Sequence, residues 1–205
     1  MSFVYRQTLG IYGGSFDPVH LGHVGLAQAA LGYGIHRLIV IPCRRSPHKR
    51  PEDGKEIPTS AEHRWVMLQR AFAHMPKIEL SCFELDGPEY SYTWQTLEHF
   101  QKTCPQGTRL VLVCGFDSWL SLPHWARFEE WKDSVDYLVF PRKGQVVQAE
   151  PESLKNLSVT FAKEELPEVS STELRQALKD ARSHPLLPTL VLDYIREHQL
   201  YGIKG

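Results

Sequence analysis

Residues 10–23 read Gly10-Ile11-Tyr12-Gly13-Gly14-Ser15-Phe16-Asp17-Pro18-Val19-His20-Leu21-Gly22-His23. His20 and His23 stand at the mouth of an expected helix, where a spacing of i, i+3 puts both imidazoles on one face. Gly13 and Gly14 carry no Cβ, so an anion can approach their backbone closely. The helix start adds unpaired N–H groups and the positive end of the helix dipole. Imidazole N–H donors at this place suit phosphate oxygens and the charge that develops on them in a transition state. Gly22, between the histidines, removes a side chain that would crowd such a ligand. Chance alone yields this His-x-Gly-His pattern only about 0.03 times in a chain of this composition. The bland alternative is a pair of histidines that cap and decorate a helix. The segment is neither Gly-x-Gly-x-x-Gly nor a P-loop, so hydride transfer and P-loop chemistry both lose their main support.

A second cluster lies toward the other end. Ser170-Ser171-Thr172 forms an N-cap cluster, and Arg175 falls one turn into the helix that follows. Hydroxyls, free N–H groups and a guanidinium at a helix start make a second anion site. A plain capped helix with a solvent-facing arginine fits the same residues. Asp117 follows Gly115 at the end of the apolar run Leu110–Cys114, where it can accept hydrogen bonds from ribose hydroxyls or serve as an N-cap. Tyr92 and Thr93 open a helix, which leaves the N–H groups of Thr93 and Trp94 free for a carboxylate. Trp125 can stack on a flat ring or pack in the core. His48 and Lys49 sit in a charged loop, where they can touch phosphate or simply be solvated. Trp65, Trp94, Trp119 and Trp131 read as core or surface aromatics.

The elements that must hold these residues follow from the hydrophobic pattern. Short apolar runs predict strands at 8–12, 37–41, 78–85, 110–114, 137–140 and 157–162. Helical patterns fall at 21–31, 60–74, 92–102, 171–182 and 187–198, with Ser60 as an N-cap. Strands that alternate with helices predict an α/β fold, a doubly wound Rossmann-like parallel sheet with helices on both faces. The expected organisation is one domain over 1–205, with a small helical region at about 165–205 carrying the Ser-Ser-Thr-x-x-Arg segment. Residues Arg44–Thr59 form a proline-rich, charged loop directly after a strand end, the place and length expected of an active-site lid.

Composition bounds the remaining choices. The chain has 205 residues, 42% hydrophobic and 23% charged, with 23 Lys plus Arg against 24 Asp plus Glu and a net charge of −1. That balance argues against a nucleic-acid partner and against disorder. No run reaches the roughly 18 apolar residues of a membrane span, and no apolar signal segment stands at the start. Cys43, Cys82, Cys104 and Cys114 form no Cys-x-x-Cys pair, which argues against zinc and disulfides and for the reducing cytoplasm. No carboxylate cluster predicts a dedicated metal cage. The oligomeric state is left open, a homo-oligomer included.

The two clusters together carry a resemblance. Gly-Gly-Ser-Phe-Asp-Pro-Val-His-Leu-Gly-His resembles the signature of the His-x-Gly-His nucleotidyltransferase superfamily. Val169-Ser170-Ser171-Thr172-Glu173-Leu174-Arg175 resembles its second signature, Ile-Ser-Ser-Thr-x-x-Arg, with Val169 in place of Ile. Within the superfamily the chain is most similar to the nicotinate-nucleotide adenylyltransferases. Ser46-Pro47-His48-Lys49 resembles their Pro-Pro-His-Lys segment, and Ser91-Tyr92-Thr93-Trp94-Gln95-Thr96-Leu97 their Ser-Tyr-Thr-x-x-Thr-Leu. Gly115-Phe116-Asp117-Ser118-Trp119 resembles their Gly-x-Asp-Ser-Leu, and Pro123-His124-Trp125 the segment with their conserved tryptophan. The resemblance implies transfer of adenylate from ATP to nicotinate mononucleotide, with Mg²⁺ brought by the ATP. It implies His20, His23 and Arg175 as catalytic residues. ATP would meet Gly13, Gly14, Ser15, Phe16, His20, His23, Asp117, Ser170, Ser171, Thr172 and Arg175. The mononucleotide would meet Ser15, His48, Lys49, Tyr92, Thr93, Trp94, Asp117 and Trp125. Trp119 replaces the usual Leu, and Arg44, Arg45 and Ser46 also depart from the pattern. The runner-up is pantetheine-phosphate adenylyltransferase, which is usually shorter and lacks the Ser-Tyr-Thr and Pro-His-Lys segments.

Overall fold

In the strand Arg37–Pro42, Leu38 and Val40 turn to one side and Ile39 and Ile41 to the other, and all four are buried. A strand apolar on both faces needs a covering layer on each, and that requirement sets the architecture. The computed structural model describes residues 7–48, 58–141, 151–164, 166–167, 169–180 and 184–203. Among the described residues six strands form one sheet: β1 (Gln7–Gly14), β2 (Arg37–Pro42), β3 (Ile78–Leu80), β4 (Thr108–Gly115), β5 (Asp136–Phe140) and β6 (Val159–Phe161). Their order is β3-β2-β1-β4-β5-β6, and every pairing is parallel. This is the doubly wound order with its switch point between β1 and β4, where ligands bind beyond the carboxyl ends of strands.

Helices cover both faces, as the sequence pattern predicts. Helices α1 (Leu21–Ala30) and α2 (Ala61–Phe72) pack on one side through Leu26, Ala27, Met67 and Leu68. The two C-terminal helices, numbered α6 (Ser171–Asp180) and α7 (Thr189–Glu197) in chain order, join the same cluster through Leu174, Leu178, Val191 and Ile195. The opposite face holds α3 (Thr93–Thr103), α4 (Phe116–Ser121) and α5 (Phe128–Trp131) through Leu97, Trp119 and Trp131. Ser60 caps α2 by accepting the His63 N–H at 3.4 Å.

The differences from expectation are local. β1 runs on through Gly13 and Gly14, which lie opposite Ile41 and Pro42. β3 stops at Leu80, short of the expected Leu85, because the Ser81 hydroxyl and Cys82 carbonyl capture the N–H groups of Phe83 and Asp86 and turn the chain. α4 and α5 are too short for a periodic signal and were not expected. Of the expected lid, residues 49–57, Lys49 among them, lie outside the described residues, as do 181 and 182 of the expected α6.

Trp119 is fully buried and meets Tyr137 and Phe161 edge-on at centroid distances of 5.2 and 6.0 Å. Trp119→Ala removes a large side chain from a site whose neighbours lie on the rigid sheet, so collapse into the void is limited. The expected loss of unfolding free energy is about 3–5 kcal/mol, read by denaturant titration. A loss below about 1 kcal/mol would show that this face of the sheet is loosely packed.

Candidate active site

The turn after β1 is tightly wound. Phe16 adopts φ 49°, a left-handed conformation that is costly for a bulky residue. Its ring is held edge-on by Tyr12 at 5.4 Å and by His23 at 4.9 Å. A Cβ at Gly14 would lie 2.9 Å from that ring, so Gly14 makes room for Phe16. Gly13, by contrast, has nothing within 4 Å of where its Cβ would stand. The space beside Gly13 is therefore open, while the Phe16 ring fills that beside the Gly14 α-carbon.

His20 and His23 form a reciprocal cap at the start of α1. His20 Nδ1 accepts the His23 N–H, and His23 Nδ1 accepts the His20 N–H, both at 3.3 Å. With Nδ1 accepting, each neutral ring carries its proton on Nε2, a tautomer assigned from the hydrogen bonding. The rings stack with centroids 3.6 Å apart. His20 is 5% exposed, and burial pulls its pKa down to about 4. At neutral pH His20 is thus a neutral ring whose remaining polar hydrogen, on Nε2, serves as a donor.

The C-terminal cluster closes on this turn. Arg175 Nη1 donates to the Asp17 carbonyl at 2.8 Å, and Ser171 Oγ donates to the Pro18 carbonyl at 3.1 Å. Ser170 caps α6 through the Glu173 N–H at 3.1 Å, while Glu173 answers with a bond to the Ser170 N–H. Thr172 Oγ1 accepts from Arg175 Nη2 at 3.4 Å. A Cβ on Gly22 would meet Val169 Cγ1 at 2.9 Å and His20 Nδ1 at 3.1 Å. The absent side chain at Gly22 lets the two signatures touch; it does not clear space for a ligand, as its place between the histidines suggests.

Three further segments converge beside them. Arg44 N–H donates to Ser91 Oγ at 3.1 Å and Ser91 N–H to the Arg45 carbonyl at 3.1 Å, joining the end of β2 to the start of α3. The Arg127 guanidinium lies 4.3 Å over the Trp94 ring, which brings in the loop after α4. In that loop Trp125 is half-buried, donates to Ser121 Oγ at 3.0 Å, and lies 5.9 Å from the His48 ring. The N–H groups of Thr93 and Trp94 open α3 behind Tyr92, whose carbonyl already serves Gln95. Asp117 is exposed in the first turn of α4, and Gly115, not Asp117, is the N-cap.

Ser15, Ser171 and Arg175 line one cleft of about 40 Å³, together with Asp17 and Arg64. A larger cavity of about 460 Å³ opens at the opposite end of the sheet, against Thr108, Asp136 and Ser158. It contains none of the signature residues, and the switch-point rule places ligands at the carboxyl ends. Sequence reasoning passed over Asp17, Arg64 and Tyr201. Asp17 is 6% exposed and accepts the Tyr201 O–H at 2.6 Å and the Thr59 N–H at 3.1 Å. Arg64 carried a readable signal: it falls on the buried stripe of α2 with Met67, Leu68 and Phe72, where a charge is out of place.

The sheet order and the two signatures gathered at its switch point define a nucleotidyltransferase. The chain belongs to the cytidylyltransferase-like family, whose model matches residues 11–177. Its relatives include a probable nicotinate-nucleotide adenylyltransferase of Pseudomonas putida, 33% identical over 95% of both chains. Another, from Methylacidiphilum infernorum and of the same name, is 34% identical over 94% of this chain and 91% of its own length. In fold the chain resembles the Plasmodium falciparum nicotinic acid mononucleotide adenylyltransferase complexed with NaAD. That likeness has a TM-score of 0.75 at 22% identity and covers 97% of this chain and 99% of the other.

His20 offers a direct check on the site. Its pKa in the folded protein, about 4, lies below the ordinary 6.5 of an unfolded chain. The folded state therefore binds fewer protons between these values, so this group's contribution to stability is full above pH 6.5 and is lost as the pH falls toward 4. Titration of the His20 ring by NMR is expected to show a midpoint near 4. A midpoint near the ordinary value would contradict the buried, neutral ring.

Proposed function

We propose that this chain is an adenylyltransferase that joins ATP and nicotinate mononucleotide to give nicotinate adenine dinucleotide and pyrophosphate, a step of NAD biosynthesis in the cytoplasm. The observation that carries the reading is the meeting of the two signatures. Arg175 and Ser171 bond the carbonyls of Asp17 and Pro18, immediately before the histidine pair. The names of the relatives agree with it. Among the described residues no helix is long and apolar enough to cross a membrane.

In this reading a 5′-phosphate oxygen of the mononucleotide attacks the α-phosphorus of ATP. The new O–P bond forms as the bond from the α-phosphorus to the bridging oxygen breaks, and its electron pair leaves with pyrophosphate. A phosphate oxyanion is already ionised near neutral pH, so no enzyme nucleophile is needed. What the protein supplies is position and charge stabilisation. Nε2–H of His20 and of His23 hold phosphoryl oxygens at the bend of the triphosphate, beside the open backbone at Gly13. Ser15 and the Phe16 N–H add donors from the turn. Ser170, Ser171 and Thr172 bring the start of α6 to the distal phosphates, and Arg175 holds the leaving pyrophosphate. Mg²⁺ brought by the ATP would neutralise charge on the phosphate oxygens, the same oxygens that the N–H and O–H donors of the cleft suit.

Asp117 faces the ribose hydroxyls from the mouth of β4. The pyridine ring stacks on Trp125, with His48 toward the acceptor's phosphate. Its carboxylate meets the Thr93 and Trp94 N–H groups behind Tyr92, at the positive end of α3. The helical region after about residue 165 belongs to the same domain and serves to deliver Arg175.

The acceptor pocket makes the test sharp. A carboxylate accepts from both N–H groups, whereas an amide turns its own NH₂ toward one of them. An unsatisfied donor pair costs about 1–3 kcal/mol, and loss of the charge adds to that. Pyrophosphate release from ATP and Mg²⁺ is to be measured with nicotinate mononucleotide, nicotinamide mononucleotide and phosphopantetheine as acceptors. The expected result is a preference for the acid over the amide of at least about 10²-fold in kcat/KM. Equal values for acid and amide would show a pocket built otherwise, and activity with phosphopantetheine alone would overturn the assignment.

A further inference from the structure

Among the described residues Arg64 is the most deeply buried cation, 1% exposed on the inner face of α2. Among the described residues its guanidinium makes no hydrogen bond or ion pair with a carboxylate. Nε donates to the Thr59 carbonyl at 2.9 Å, Nη1 to those of Ser15 at 2.9 Å and Cys43 at 2.7 Å, and Nη2 to that of Arg44 at 2.9 Å. The four carbonyls come from three segments: the turn after β1, the end of β2 and the approach to α2. Taking a charge out of water without a counter-ion is costly, and a leucine or methionine would fill the same space without that cost. The charge is therefore kept for what it holds.

What it holds is the direction of two peptide groups. In a trans peptide the carbonyl and the following N–H point opposite ways. Drawing the Ser15 and Arg44 carbonyls onto Arg64 thus turns the N–H groups of Phe16 and Arg45 away from it. Neither of these N–H groups has a hydrogen-bond partner among the described residues. The first belongs to the residue at φ 49°, a conformation that needs support from outside the turn. Arg64 also lines the cleft shared by Ser15, Ser171 and Arg175. Thr59 ties this hub to Asp17, since its carbonyl accepts from Arg64 while its N–H donates to the Asp17 carboxylate.

We propose that Arg64 is a positioning residue of the cleft: it fixes the Ser15–Phe16 and Arg44–Arg45 peptides so that their N–H groups meet the phosphates of the bound substrates. This rests on the nucleotidyltransferase reading above. Lysine cannot replace it, because one ammonium nitrogen cannot span carbonyls that the planar guanidinium reaches with three nitrogens.

The test compares Arg64→Lys and Arg64→Met with Leu68→Ala, which removes packing from the same face of α2 without touching the carbonyls. All are assayed well below their unfolding temperatures, for ATP affinity by calorimetry and for kcat and KM of pyrophosphate release. Arg64→Met is expected to lose on the order of 10²-fold in kcat, the scale of a lost oxyanion donor, and to bind ATP roughly 10-fold more weakly. Arg64→Lys should fold and recover only part of both. Leu68→Ala should lose stability yet keep kcat within about threefold of the wild type. Wild-type ATP affinity and turnover in Arg64→Lys overturn the proposal, and so does a loss of turnover in Leu68→Ala as large as that in Arg64→Lys. Should Arg64→Met fail to fold, Arg64→Lys decides. A wild-type protein that binds ATP but forms no dinucleotide sinks the acceptor reading alone, and the ATP affinities of the variants then decide the role of Arg64.

Discussion

The site hangs on Asp17. A carboxyl group removed from water must find its hydrogen bonds inside the protein, and Asp17 finds them in segments that are remote in sequence. Tyr201 reaches it from the C-terminal end of the chain and Thr59 from the approach to α2, while Arg175 takes its carbonyl. Burial and the neighbouring Asp17 push the Tyr201 phenol above its ordinary range, so it stays a donor. These bonds hold α6 against the turn after β1. Without them the two signatures would be two capped helices on one face of a sheet.

The electrostatics follow from that closure. The chain as a whole is nearly neutral, yet among the described residues the cleft between the signatures is lined by Arg44, Arg45, Arg64 and Arg175 against one acid, Asp17. Arg45 is partly answered by Glu89 and Arg44 by the Gly87 carbonyl, while the hydrogen bonds of Arg64 go to carbonyls. The field is local and preorganised, which is the form that stabilises developing charge at least cost in reorganisation. His20 adds no charge to it at neutral pH. Two stacked imidazoles cannot both be protonated without strong repulsion, and burial resolves the conflict by keeping His20 neutral.

Where periodicity is long and backed by caps, the chain can be read directly. Leu110–Cys114 could only be a buried strand, and Ser60 marks the start of α2. The turn after β1 and the helix start behind it were legible as elements, because adjacent residues set them, but the packing of Gly14 on the Phe16 ring was not. What stayed hidden depends on distant pairings. The bond from Tyr201 to Asp17 spans 184 residues, and nothing local at either end announces it. Gly22 shows the same limit: in sequence it stands between His20 and His23, but in space it also meets the distant Val169. Arg64 is the intermediate case, a charge on an apolar stripe whose oddness is visible and whose partners are not.

The central claim is that the two signatures form one site bridged by one triphosphate. A double-mutant cycle on kcat/KM with His20→Ala and Arg175→Ala addresses it directly. A shared ligand held from both sides couples the two changes, so the double variant should lose less than the sum of the single losses, by at least about 1 kcal/mol. Additivity to within about 0.5 kcal/mol would mean that His20 and Arg175 serve separate sites, and the joint at Asp17 would then be structural only.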